Sequence, residues 1–207
     1  MTAADPVRLN IGCGGRPLLE YINVDMDDLA ALRRRYPNQV FSDAIRLENY
    51  DIFHLPYGDG TVDEVRADGL LEHLSFLDEK RFLYEVKRVL APGGRFRFSV
   101  PDFEEVCRIW LAAKDDWQDF YRDDDEAIAK QHWFGTYSYG LDNRWGYITA
   151  TIYGSQHGEG QYHKNCYSEG KIRAMCKHLG FAVASLERNL WKGDRDPMLN
   201  VEAVKGA

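Results

Sequence analysis

Three glycines, Gly12, Gly14 and Gly15, follow a short apolar run of Val7, Leu9 and Ile11, and Asp25 closes a second run of Ile22 and Val24. Glycines directly after a buried strand let backbone N–H groups approach a ligand, and a carboxylate ending the next strand can accept both hydroxyls of a ribose. Strand, glycine turn, strand and acid together form the nucleotide-holding half of a Rossmann-like unit. A dinucleotide is disfavoured. Its fingerprint wants a third glycine opening a helix and an acid about 20 residues on, whereas here Pro17 holds that third position and Asp25 follows Gly14 by 11 residues. Three histidines, His73, His157 and His163, supply candidate bases, because an imidazole titrates close to neutral pH.

The elements that must position these groups follow from periodicity. Asp27 to Tyr36 reads as a short helix stopped by Pro37, and Thr61 to Val65 as a strand. Phe82, Leu83, Val86, Val89 and Leu90 fall on one face of a helix spanning Asp78 to Leu90. Pro92, Gly93 and Gly94 end that helix, and Arg95 to Val100 alternates as a strand does. Asp102 reads as the cap of a further helix, with Glu105 three places on. Ser168 starts another, with Ile172, Met175, Cys176 and Leu179 on one face and Gly180 as its stop. Phe181 to Leu190 and Leu199 to Val204 read as the last two strands.

Composition narrows the function classes. The chain of 207 residues, 44% apolar, is expected to form a single domain over 1–207. No apolar run approaches the roughly 20 residues of a membrane span, and the N-terminus has neither a basic nor an apolar leader region. The four cysteines, Cys13, Cys107, Cys166 and Cys176, form no C-x-x-C pair and read as free thiols. A net charge of −7 argues against a nucleic-acid surface. The expectation is a cytoplasmic protein with neither membrane nor nucleic acid as partner.

The motifs LNIGCGG (9–15), INVD (22–25), LEHL (71–74) and LAPGGRFRFSVPD (90–102) resemble those of the class I S-adenosylmethionine (SAM) methyltransferases. The resemblance covers residues 7 to 102. It implies an α/β, Rossmann-like fold, with a seven-stranded, mostly parallel sheet, helices on both faces and an insertion after strand 5. It implies SAM as cofactor, S-adenosylhomocysteine as product, and a binding set of Asn10, Gly12, Cys13, Gly14, Asp25, Met26, Asp51, Ile52, Ala67, Asp68 and His73. Asp51, four residues before Leu55-Pro56, matches the family acid that contacts the adenine amino group, with Ile52 and Leu55 covering the ring. Two departures stand out: Asn10 where many members carry an acid, and Arg16 where many carry a third glycine.

The insertion, 102–165, holds 13 of the 27 aromatic residues and 12 acids against 6 bases. That concentration reads as an aromatic-walled, substrate-binding cap, including Trp133, Phe134, Tyr137, Tyr139, Trp145, Tyr147 and Tyr153, with Asp123 to Glu126 as solvated surface. Tyr153 to Asn165, rich in glycine, reads as a mobile loop or lid carrying His157 and His163. With Cys166 these histidines are spaced H-x5-H-x2-C, which matches no common zinc pattern, so no metal is expected. The leading functional expectation is a SAM-dependent methyltransferase acting on an oxygen, or secondarily a nitrogen, of a small molecule such as a sugar or natural product, as a monomer or homodimer. His73, His157 and His163 are its candidate catalytic residues. The alternative is a methyltransferase-fold SAM-binding or partner protein without turnover.

Overall fold

The computed structural model describes residues 5–115, 144, 147–156, 160–191 and 196–206. Its strands are β1 (Arg8–Ile11), β2 (Ile22–Val24), β3 (Arg46–Glu48), β4 (Val62–Asp68), β5 (Leu90–Pro101), β6 (Phe181–Trp191) and β7 (Asp196–Lys205). They form one seven-stranded sheet in the order β3-β2-β1-β4-β5-β7-β6. The first five pair in parallel, and β7 runs antiparallel to both β5 and β6. This is the mostly parallel sheet expected from the sequence. Among the described residues the helices are α1 (Leu29–Arg35), α2 (Phe76–Val89), α3 (Phe103–Ala112), α4 (Tyr147–Tyr153) and α5 (Glu169–Leu179), with a 3-10 turn at Leu71–His73.

Side-chain chemistry explains the boundaries. α2 starts two residues before the expected Asp78, because Ser75 caps it: its Oγ accepts from the Asp78 N–H at 3.2 Å and donates to the Asp78 carboxylate at 2.6 Å. The helix ends at Val89, and Leu90 already pairs with Val62 in the sheet. Pro92, Gly93 and Gly94 are therefore a bulge inside β5 rather than a linker before it, and the register shifts between Val62 and Glu64 on the facing strand. A Cβ at Gly94 would lie 2.8 Å from the Ala91 carbonyl oxygen, so the bulge closes only on glycine.

The main core lies between α2, α5 and the sheet. Phe82, Val86 and Val89 meet Phe96, Phe98 and Phe181, and the rings of Phe96 and Phe98 are 4.7 Å apart. Tyr167 is buried there, donating its hydroxyl to the Glu79 carboxylate, which also pairs with Lys171 at 2.8 Å. At the other end of β5, Asp102 caps α3 through the Glu105 N–H and accepts from Arg188 of β6 at 3.0 Å. A smaller cluster of Cys13, Leu32 and Phe41 packs beneath α1.

β1, β2 and β3 meet around one buried amide. Asn23 Oδ1 accepts from Asn10 Nδ2 at 2.9 Å and from the Leu18 N–H at 2.8 Å. Its Nδ2 donates to the carbonyls of Leu18, Tyr21 and Arg46. Asn23→Ala therefore strands several dry polar groups, at about 1–3 kcal/mol for each that stays unsatisfied. We expect urea denaturation to show a stability loss of roughly 3 kcal/mol or more. A loss below about 1 kcal/mol would mean that water replaces the amide.

Candidate functional site

The C-terminal ends of β1, β2 and β4 open onto a cavity of about 720 Å³. Its floor is the glycine turn. Gly12 (φ +68°) and Gly14 (φ +48°) occupy the left-handed region that other L-residues avoid. The turn is anchored by Gly12 N–H to the Val24 carbonyl at 2.7 Å and by Gly14 N–H to Asp25 Oδ2 at 2.8 Å. The other oxygen of Asp25 accepts from the Asp27 N–H at 3.0 Å. Oδ1 has a further lone pair and Oδ2 spends its second on a weak bond from the Cys13 thiol at 3.8 Å, so Asp25 can hold the turn, accept one hydroxyl directly and take a second in place of the thiol. Cys13 lies beside it, its thiol pushed up to about 12 by burial and then by the Asp25 charge, so it remains a protonated weak donor.

One wall is the loop after β3. Asp51 accepts from the Phe53 N–H at 2.9 Å, and its carboxylate stays more than half exposed at the cavity rim with Ile52. The loop is fastened to α2, where Glu85 accepts from the Leu55 N–H at 2.6 Å and Arg88 donates to the Leu55 and Tyr57 carbonyls. The facing wall is the end of β4, where Asp68 pairs with Arg66, followed by Gly69, Leu70 and His73. The roof comes from the segment that the sequence suggested as a lid. Gly160, Gln161 and Lys164 line the cavity, and a Cβ at Gly160 would sit 3.3 Å from Met26 Sδ. Its described ends are tied down. Gly154 bridges Tyr162, and the N–H groups of Lys164 and Asn165 both donate to the Glu72 carbonyl, at 2.7 and 3.1 Å.

Two imidazoles meet where roof and wall join. His73 donates its Nδ1–H to the Tyr162 carbonyl at 3.1 Å, and His163 donates its Nδ1–H to the Thr151 carbonyl at 2.9 Å. Their rings meet edge to face at 4.8 Å. Burial, and then its neighbour His163, lowers His73 to about 4, and burial lowers His163 as well. Both rings are neutral at physiological pH, which differs from the near-unperturbed His73 expected from sequence. Glu72, 4% exposed, is raised to about 8 by burial.

Of the residues predicted to bind the cofactor, the structure brings Asn10, Gly12, Cys13, Gly14, Asp25, Met26, Asp51, Ile52, Asp68 and His73 to the cavity. Ala67 is the exception: it is fully buried in β4 opposite Phe98 and lines nothing. Leu55, expected over the adenine, is likewise 4% exposed within the core. Asn10 reaches the cavity but its Nδ2 is engaged by Asn23 and by the Arg16 carbonyl at 3.1 Å. His163 stands behind the wall, and His157, Asp123 to Glu126 and the aromatics from Trp133 to Trp145 lie outside the described residues. Sequence reasoning missed Tyr36. It ends α1, lines the cavity, and its ring fills the space where Gly14 and Gly15 lack side chains.

A family model described as a methyltransferase domain matches residues 9–98. Methyltransferase GfsG of Streptomyces halstedii is 31% identical over 98 residues, 42% of this chain and 34% of that protein. Across the curated relatives that it matches, the aligned part is 18%, 34% and 37% of their length. Among solved structures, a SAM-dependent methyltransferase of Methanosarcina mazei superposes with a TM-score of 0.58 at 15% identity, covering 98% of this chain and 93% of that one. The 1,6-didemethyltoxoflavin-N1-methyltransferase of Burkholderia thailandensis, bound to 1,6-didemethyltoxoflavin and S-adenosylhomocysteine, gives 0.54 at 16% identity, covering 98% and 72%. At these identities the structural likeness establishes the fold.

The turn makes a separable prediction. A Cβ at Gly15 would meet Tyr36 ring carbons at 3.1 Å, whereas Gly14 also has the positive φ. Gly15→Ala should destabilise the wild type but become nearly neutral on a Tyr36→Ala background. Gly14→Ala, whose Cβ would lie 3.1 Å from the Tyr36 hydroxyl, should be relieved only in part by Tyr36→Ala and keep about 1 kcal/mol from its backbone conformation. A double-mutant cycle by chemical denaturation measures both.

Proposed function

We propose that this chain, whose residues 9–98 belong to the methyltransferase-domain family, binds SAM in the cavity and transfers its methyl group to an oxygen or nitrogen of a small molecule. The observation that carries this reading is the Asp25 carboxylate, 8% exposed, held by two backbone N–H groups at the mouth of the glycine turn. It takes the ribose hydroxyls, Asp51 and Ile52 take the adenine edge and face, and the end of β4 takes the methionine portion. A fold neighbour that holds a small heterocycle beside S-adenosylhomocysteine supports a small-molecule acceptor. A sugar or natural-product oxygen is our first assignment and an amine the second, with the 102–165 insertion as the acceptor-binding cap of a single domain. Gly160 over Met26 supports that cap by roofing the cavity.

Methyl transfer is an in-line displacement. SAM, when bound, would supply a sulfonium methyl group: the acceptor's lone pair would bond to the methyl carbon, the carbon–sulfur pair would stay on sulfur, and the acceptor's proton would pass to solvent. The protein's share is alignment and exclusion of water. The neutral His73 on the cavity wall supports an acceptor bound on that side. No helix among the described residues is long and apolar enough to cross a membrane, and all four cysteines are free thiols. Both support the cytoplasmic placement that we assign, as a monomer or homodimer. Engagement of Asn10 Nδ2 inside the fold favours one second reading, a SAM-binding partner protein without turnover.

Calorimetric titration with SAM and S-adenosylhomocysteine tests the cofactor, and mass spectrometry of an acceptor panel incubated with SAM tests turnover. Binding with no methylated product would favour the second reading. Asp25→Ala should weaken SAM by about 30- to 1,000-fold, roughly 2–4 kcal/mol, through lost charge-assisted hydrogen bonds. Unchanged affinity would remove Asp25 from the site.

A further inference from the structure

Glu72, His73 and His163 come from two segments that are 90 residues apart in the sequence, counted from His73 to His163. One carboxylate oxygen and one nitrogen from each ring lie within 4.8 Å of one another. Three independent features make this more than proximity. First, each histidine donates Nδ1–H to a backbone carbonyl, Tyr162 for His73 and Thr151 for His163. That bond fixes the tautomer and leaves the lone pair on Nε2, the arrangement that metal-binding imidazoles use. Second, Glu72 Oε2 is buried with no hydrogen-bond partner among the described residues. A buried carboxylate oxygen without a partner is costly unless a ligand satisfies it. Third, the two segments are locked together by the bonds from Lys164 and Asn165 to the Glu72 carbonyl, so the set is preorganised.

We propose that Glu72, His73 and His163 form a binding site for one divalent transition-metal ion of the zinc, iron and cobalt series. Two neutral imidazoles and one carboxylate, whose proton leaves to solvent as the ion binds, suit these borderline ions better than Mg2+ or Ca2+, which prefer all-oxygen shells. Ligand atoms up to 4.8 Å apart must close by about an ångström to reach the separations of a tetrahedral site with bonds near 2.0–2.2 Å. Rotation of the Glu72 side chain and small ring tilts that keep both Nδ1–H bonds supply that movement. Three protein ligands leave a coordination position open, as in catalytic rather than structural sites. His73 is a cavity wall residue, so the ion lies at the cavity margin, where it would bind an oxygen or nitrogen of an incoming small molecule. Cys166, which the linear spacing grouped with His157 and His163, is exposed and takes no part.

The test uses the tag-free full chain, stripped with chelator and free of nucleotide. Zn2+ binding is followed by calorimetry, and Co2+ binding by its visible d–d absorption. We expect one equivalent of each ion, with the Co2+ bands of a four-coordinate site. Glu72→Gln, His73→Gln and His163→Ala should each weaken Zn2+ by about tenfold or more, and His178→Ala, at an exposed histidine hydrogen-bonded to Tyr84, should not. Circular dichroism confirms that each variant is folded. No saturable Zn2+ site in the wild type, or a loss below about tenfold in any folded ligand variant, would overturn the proposal. Neither the ion nor the variants depend on SAM, so this failure is distinct from failure of the nucleotide titration.

Discussion

A single buried amide holds the working end of this sheet together. Asn23 has no exposed surface, yet five hydrogen bonds reach it from Asn10 on β1, from the Leu18–Tyr21 loop and from Arg46 on β3. In a dry interior each of those partners would otherwise be unsatisfied. The arrangement also explains the amide at position 10. Asn23 turns its oxygen toward Asn10, which answers with an N–H. A carboxylate at position 10 would set acceptor against acceptor. The departure from the family acid is thus part of the packing around the first turn.

That turn in turn decides where Asp25 stands. The parallel strands end together, and a ligand site forms outside their carboxyl ends, as open α/β sheets dictate. Glycine is required because Tyr36 lies over the turn and because Gly12 and Gly14 have positive φ. The Asp25 carboxylate closes the arrangement by accepting from the Gly14 and Asp27 N–H groups. The same atoms that stabilise the empty turn are the ones that face the cavity, so fold and recognition draw on one carboxylate.

Among the described residues, six of the seven strands and α1, α2, α3 and α5 were legible in the sequence, because burial imposes period 2 on strands and 3.6 on helices, whereas β3 and α4 were not. The Gly–x–Gly turn, Asp25 and the Ser168 and Gly180 helix ends could be read from local turn and capping chemistry, and Asp51 from the family resemblance alone. The rest depends on contacts between distant segments. Nothing local distinguishes Ala67 and Leu55, which face the core, from Asp68 and Ile52, which face the cavity. Tyr36 looks like a helix end until the folded turn places glycines beneath it. Pro92-Gly93-Gly94 has the composition of a break, but the facing β4 accommodates it as a bulge. The pairing of Glu72 with His163 is invisible to any search for ligands along one segment.

The roof and the wall of the cavity share hydrogen bonds. Tyr162, in the roof segment, holds the His73 ring through its carbonyl, and its neighbours Lys164 and Asn165 are fastened to the residue just before that ring. Lifting this part of the roof therefore breaks the bond that fixes the imidazole tautomer. An open cavity and a correctly oriented His73 are mutually exclusive along that route. A ligand that entered by lifting this part of the roof would meet an unset imidazole, which would regain its orientation on reclosure. On that route, entry and readiness would be sequential steps of one motion.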